Sequence, residues 1–234
     1  MIVPLENSRQ KQTHFIAAAS HELRAPLTII HTALEVIKKE KEPEKKEHFM
    51  NLLTEESNRM QTLIQDMLLL ANADSDHLPM QMELCQPDEL LLNAYEKYES
   101  LAAKKQISLL ISLPDTLFPD CYCDRERIMQ VFSILLDNAL SYTPSNGTIQ
   151  LSLTLNKAFL CFVVSDTGCG IAEEDKKRIF DRFYRSDQAH TDKMHFGLGL
   201  CIAKEIVTAH QGKICVEDSA EGGSCFFVEL PIHC

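Results

Sequence analysis

The sequence predicts an α+β fold in two parts. A helical hairpin pairs with a second copy to form a dimeric four-helix bundle, and an α/β sandwich domain follows it. Three observations carry this expectation. In the first third of the chain, apolar residues recur in alternating steps of three and four, the period of helices that bury a narrow seam. Beyond about residue 78 the pattern changes to short strand-like runs alternating with helical ones. The chain has 234 residues, 45% of them hydrophobic, which is enough for two modest cores.

Composition narrows the function classes. Charged residues are 24% of the chain and the formal net charge is -11, so it is a poor candidate for wrapping nucleic acid or lying on an anionic membrane. Nine cysteines, an odd number, are scattered through apolar runs without the spacing of a disulfide framework, and they read as reduced and cytoplasmic. Cys121 and Cys123 flank a single residue, too little for a zinc site without a second pair nearby. No run reaches the ~18–20 apolar residues of a membrane span, and no signal peptide opens the chain. A soluble chain is expected.

The first long helix is expected over residues 8–41. Its seam runs through Ile16, Ala19, Leu23, Pro26, Ile30, Ala33 and Ile37, and on that register His21 falls well away from the seam, beside Glu22. Pro26 lies inside the helical pattern, where it removes the hydrogen bond to the carbonyl of residue 22 and favours a kink. The polar run 38–44 ends in a proline that suits a helix start and reads as the hairpin turn. A second helix over 44–73 carries the seam Phe49, Leu53, Glu56, Met60, Leu63, Met67 and Leu70, with Glu56 its one polar member. Two seam-bearing helices do not bury themselves as a lone hairpin, hence the homodimer. Residues 8–74 form the dimerisation domain, 72–77 the hinge and 78–234 the sandwich. Strands are expected near 79–85, 107–113, 117–123, 148–156, 157–165, 213–218 and 224–230. Helices are expected near 87–105, 124–141, 173–180 and 198–211, packed on one face of a mixed sheet.

The residues that carry chemistry fall in order along this frame. An exposed imidazole beside a carboxylate, as at His21-Glu22, reads as a nucleophile with a proton acceptor next to it. Asp166-Thr167-Gly168-Cys169-Gly170-Ile171 follows a buried-looking strand. Its glycines let the backbone come close to a ligand, and its aspartate offers an acceptor that suits an amino group. Gly197-Leu198-Gly199-Leu200 opens an apolar helix, whose N-terminus presents backbone N–H groups to phosphate.

The segment Ser20-His21-Glu22-Leu23-Arg24-Ala25-Pro26-Leu27 closely resembles the H box of the sensor histidine kinases of two-component systems. Downstream come Asp137-Asn138-Ala139-Leu140-Ser141-Tyr142-Thr143-Pro144, the run at 166–171, Phe180-Asp181-Arg182-Phe183-Tyr184-Arg185, the glycine turn at 197 and Glu221-Gly222-Gly223-Ser224. In that order they resemble the N, G1, F, G2 and G3 boxes of the family's ATP-binding domain. The resemblance covers residues 8–231. It implies an ATP-dependent autokinase that phosphorylates His21, with Glu22 orienting the imidazole or taking its proton, and that passes the phosphoryl group to an aspartate of a response-regulator receiver domain. By the same resemblance Asn138 would ligate Mg²⁺, Tyr142 would stack on adenine, and Asp166 would accept from the adenine amino group. Gly168, Gly170 and Ser224 would shape the nucleotide pocket, Gly197, Leu198 and Gly199 would meet the phosphates, and Arg185 would reach the γ-phosphate beneath a lid at 186–196. The family's habit implies membrane contact only through an N-terminal sensor region preceding this segment.

Four departures from the family pattern stand out. Ile134 replaces a frequent second asparagine, Ser141 a frequent lysine, and Met194-His195-Phe196 the usual glycine-containing lead into the G2 box. Ala25, one turn past His21, stands where many relatives carry a threonine or asparagine that positions water for dephosphorylating the regulator. Two rival readings follow from the residues: a degenerate kinase serving as a dimeric scaffold, and an ATPase of the same nucleotide-binding superfamily without histidine transfer.

Overall fold

The computed structural model describes residues 3–74, 78–115, 117–156, 158–185 and 196–232, with side chains described from residue 17 onward. It divides into two compact units, Met1–Asp74 and Ser75–Cys234.

The first unit is the hairpin of α1 (Val3–Lys39) and α2 (Pro43–Ala73). Pro43 opens α2, where its missing N–H would have had no partner in any case. The Glu40 carboxylate closes the turn by accepting from the backbone N–H groups of Lys41 at 2.8 Å and Glu42 at 3.0 Å. The anticipated seam is the packed one: Ala19, Pro26 and Ala33 of α1 and Glu56, Leu63 and Leu70 of α2 are buried, and the remaining seam residues from 23 onward are half-buried. Ile16, the seam's first residue, has a side chain outside the described set. Glu56 tolerates this place because Arg59, one turn on, donates to its carboxylate at 3.5 Å. α1 continues as helix through Pro26, and Thr28 donates its hydroxyl back to the Arg24 carbonyl at 2.9 Å.

The second unit runs β1 (Glu83–Cys85), α3 (Pro87–Lys104), β2 (Ser108–Ser112), β3 (Cys121–Cys123), α4 (Arg125–Tyr142), β4 (Thr148–Asn156), β5 (Phe159–Asp166), α5 (Gly199–Ala209), β6 (Lys213–Asp218) and β7 (Ser224–Pro231). The main sheet has the order β2-β4-β5-β7-β6, with β2 parallel to β4 and every other pair antiparallel. Alternate residues of the three central strands turn inward and are buried: Ile149, Leu151 and Leu153; Leu160, Phe162 and Val164; Phe226, Val228 and Leu230. α3, α4 and α5 pack on that face, with Phe132 of α4 against Phe162 at 5.1 Å between ring centroids.

Four sequence expectations change. The strand expected at 117–123 contracts to Cys121–Cys123 and that at 79–85 to Glu83–Cys85, and the two pair with each other as a ribbon separate from the main sheet. The helix expected at 173–180 is a succession of turns, in which Arg178 N–H bonds to the Asp175 carbonyl and Lys176 N–H to that of Ala172. Lys176 there reaches sideways to Glu173 at 2.6 Å and across to Asp218 of β6 at 2.8 Å, so ion pairs add to these backbone turns in holding the segment. α1 also begins ahead of residue 8. The hinge residues 75–77 and lid residues 186–195 lie outside the described residues. Among the described residues no helix is long and apolar enough to cross a membrane.

Candidate functional site

Asp166 ends β5 and is only 5% exposed. Its Oδ1 accepts from the backbone N–H of Gly168 at 2.8 Å and of Ser224 at 3.3 Å, and no described residue bonds its Oδ2. Burial pushes the carboxyl above its usual pKa, and the two N–H donors pull partly back. One oxygen is thus fixed by the protein and the other is left to accept from something else. The surrounding glycines are required by this arrangement. A Cβ at Gly168 would stand 2.7 Å from Asp166 Oδ1 and 2.7 Å from the Tyr142 carbonyl oxygen, and one at Gly223 would stand 2.2 Å from the Asp166 carbonyl oxygen. Gly170 adopts φ +73°, which favours glycine.

α4 brings its residues to this loop from the other side. Asp124 caps its start, and Asn138 and Tyr142 lie in its last turns, both half-buried. The Asn138 amide makes no side-chain hydrogen bond to a described residue, which leaves its carbonyl oxygen for an oxygen-preferring cation. Ile134, one turn earlier, touches a different element: its Cγ2 is 3.2 Å from where a Cβ on Gly199 would stand. Gly197 precedes α5 at φ +72°, and its own Cβ would meet the Tyr184 carbonyl oxygen at 2.8 Å. Its carbonyl accepts from Phe183 N–H at 2.9 Å, tying the aromatic segment to the glycine turn. Tyr184 donates to the Asp175 carboxylate under the Arg178 guanidinium, which lies 4.4 Å from its ring. Arg185 is half-buried, while the Leu198 side chain is fully buried, which leaves only its backbone to meet a ligand. Among the described residues no cluster of histidine, cysteine or carboxylate side chains is arranged to hold a metal ion by itself.

His21 lies on the hairpin, exposed, with Ala19 and Pro26 buried on either side of it along α1. Glu22 is half-buried and Ala25 exposed.

The comparisons match both units. Residues 11–76 match the family model of the His Kinase A (phospho-acceptor) domain, and residues 123–233 that of the histidine kinase-, DNA gyrase B- and HSP90-like ATPases. The chain belongs to the sensor histidine kinases. Sensor protein CiaH of Streptococcus pneumoniae is 36% identical over 234 residues, covering 98% of this chain and 52% of CiaH. Sensor histidine kinase WalK of Bacillus subtilis is 36% identical over 235 residues, covering 97% of this chain and 38% of WalK. The chain therefore spans about half the length of CiaH and less of WalK. Among solved structures, histidine kinase AdeS of Acinetobacter baumannii superposes with a TM-score of 0.71 at 25% identity, over 91% of this chain and 98% of that one. Histidine kinase ThkA, in complex with the response regulator protein TrrA, gives 0.75 at 27% identity, over 98% of this chain and 66% of that one.

Some parts of this histidine kinase's site carry no sequence motif that marks them. The Thr143 hydroxyl, adjacent to Tyr142, is buried with no hydrogen-bond partner among the described residues, an atom that a bound water or ligand would satisfy. His210 and Asp124 join the far ends of α5 and α4 through a hydrogen bond that links residues 86 positions apart. A buried histidine that closes a helix looks in sequence like any surface histidine before a glycine.

Proposed function

We propose that this chain is an ATP-dependent histidine autokinase that phosphorylates its own His21 and passes the phosphoryl group to an aspartate of a response-regulator receiver domain. The observation that carries the reading is the exposure of His21 on a helix whose neighbouring seam residues are buried. A rigid helix there presents an imidazole to solvent, as a nucleophile requires. The nucleotide-site geometry supports the other half: a buried carboxylate with one open oxygen, glycines kept clear in front of it, and a free amide on the adjoining helix.

In this mechanism a ring nitrogen of His21 forms a bond to the γ-phosphorus of ATP as the bond to the β,γ-bridging oxygen breaks. ADP leaves with that electron pair, and the imidazole proton passes to Glu22 or through it to water. Asp166 Oδ2 accepts from the adenine amino group, Tyr142 stacks on the ring, and Gly197, Gly199 and the Leu198 backbone meet the phosphates at the start of α5. Arg185 reaches the terminal phosphate. Asn138 would hold Mg²⁺, which neutralises phosphate oxygens when bound. The receiver-domain partner is supported by the ThkA complex with TrrA, and the homodimer by the phospho-acceptor domain match.

The test is labelling with γ-labelled ATP. The parent chain takes up an acid-labile, base-stable label. The His21→Gln chain takes up none while still binding ATP, and a label that persists in it excludes His21 as the acceptor.

A further inference from the structure

His210 is 2% exposed, and both ring nitrogens are engaged. Nδ1 lies 2.8 Å from the carbonyl oxygen of Ile206, one turn back in α5, and Nε2 lies 2.9 Å from the backbone nitrogen of Asp124. A backbone N–H only donates, so Nε2 is the acceptor and the ring proton sits on Nδ1. The imidazole is therefore neutral, a state that burial favours by pushing its pKa down. Asp124 in turn caps α4, its Oδ1 accepting from Arg127 N–H at 3.0 Å and its Oδ2 from Gln81 N–H at 2.7 Å. The end of α5, the start of α4 and the segment entering the α/β unit thus meet at one junction. The same two helices touch again where Ile134 faces Gly199. They pack against each other with two fixed points; Gly199 is part of the second, and Asn138, Tyr142 and Gly197 lie beyond it.

We propose that His210 is a positioning residue for the nucleotide site. By accepting from the Asp124 N–H it sets the axial register of α5 against α4, and with it the spacing between Asn138 and the phosphate-side backbone at Gly197 and Gly199. This rests on the nucleotide reading proposed above. Packing alone would leave α5 free to slide by fractions of an ångström along α4, since apolar contacts carry little direction, whereas a hydrogen bond to a helix cap does not permit it.

Two substitutions in the full chain separate the roles. A glutamine amide stands near the place of Nε2 and offers an acceptor to Asp124. An asparagine amide stands near Nδ1 and reaches only Ile206. Both shrink the side chain and lower the melting temperature. His210→Gln is expected to bind Mg-ADP within about threefold of the parent and His210→Asn about tenfold more weakly, the scale of one buried hydrogen bond. Equal affinities for the two variants, or affinities that merely follow their melting temperatures, overturn the positioning role. Because coupling is reciprocal, Mg-ADP should also slow hydrogen exchange at the Asp124 amide of the parent by a similar factor. That measurement needs no variant, and an unchanged Asp124 amide likewise overturns the role. A parent chain that binds no Mg-ADP removes the nucleotide reading itself, whereas a parent that binds with indifferent variants removes only His210's part.

Discussion

On the proposed nucleotide reading, Asp166 sets stability against binding. The carboxyl is buried and its pKa is raised, chiefly by burial. A raised carboxyl pKa means that the folded state holds its proton more tightly than the unfolded chain. That contribution to stability is full below the unfolded value and is lost as pH rises through the folded one. Above its folded pKa the domain thus keeps an ionised group that weakens the unliganded fold. Asp166→Asn retains an oxygen for the N–H groups of Gly168 and Ser224 and removes the charge. We expect it to melt higher than the parent at pH 7–8, on the order of 2–4 °C for each kcal/mol regained. The advantage should shrink as pH falls toward 4. If Asp166 holds adenine as proposed, nucleotide affinity should fall by about a hundredfold, because an amide N–H₂ would face the adenine amino group. Melting curves against pH and a Mg-ATP titration check both halves, and a variant that melts no higher at neutral pH contradicts the burial argument. The glycines around Asp166 were legible as a motif, but the identity of the group they protect was not. Spacing marks where the backbone turns, while only the fold shows that Gly168 and Gly223 are small because of Asp166 and Tyr142.

Among the elements, α1 and α2 were the most legible, because one helical period runs through many residues and each seam position repeats the same signal. Residues 173–180 misled for the opposite reason. Their composition suits a helix, but the run is short and Lys176 is claimed by an ion pair to β6. The two short strands of the ribbon were over-extended because alternation fades gradually at a strand's end. Asp66 of α2 carries no signal in the sequence. It lies three residues after Leu63 and four before Leu70, both fully buried, and no described residue pairs with it. Burial alone raises its pKa to about 6. The sign is that of Asp166, and the window is defined: stability of the helical unit is fully present below the unfolded value near 3.8 and lost as pH rises through about 6. The hairpin's denaturant midpoint should therefore fall between pH 5 and pH 8. Asp66→Asn should flatten that slope and gain ~1–2 kcal/mol at pH 8, the shift being discounted for the part of the group that water still reaches. An unchanged slope in the variant would place the pH dependence elsewhere.

For the whole molecule, the argument for pairing has to be rebuilt from the structure. The seam that suggested a second copy packs in part within the hairpin, six of its residues buried there and the others from 23 onward half-buried. The unsatisfied surface is a second stripe, displaced by one residue from the first: Leu27 and Leu34 follow Pro26 and Ala33, and Met50, Ile64 and Leu68 follow Phe49, Leu63 and Met67. All five are exposed, with Leu68 at 60%. A helix pair with apolar residues on adjacent positions carries two faces, one for its own partner helix and one for another hairpin. Each such leucine is worth ~1.5–3 kcal/mol when fully buried, and twofold symmetry counts every one twice. Leu68→Glu should therefore replace two favourable burials with two buried carboxylates and weaken association at least about a hundredfold. Sedimentation equilibrium at micromolar concentration should show a dimer for the parent and a monomer for this variant. Leu117→Glu, at a fully exposed leucine of the other unit, should leave the dimer intact. If both variants remain dimeric, the second stripe is not the pairing face. If both dissociate, association runs through the α/β unit, and the four-helix arrangement that would present His21 at the surface of a twofold bundle is lost with it.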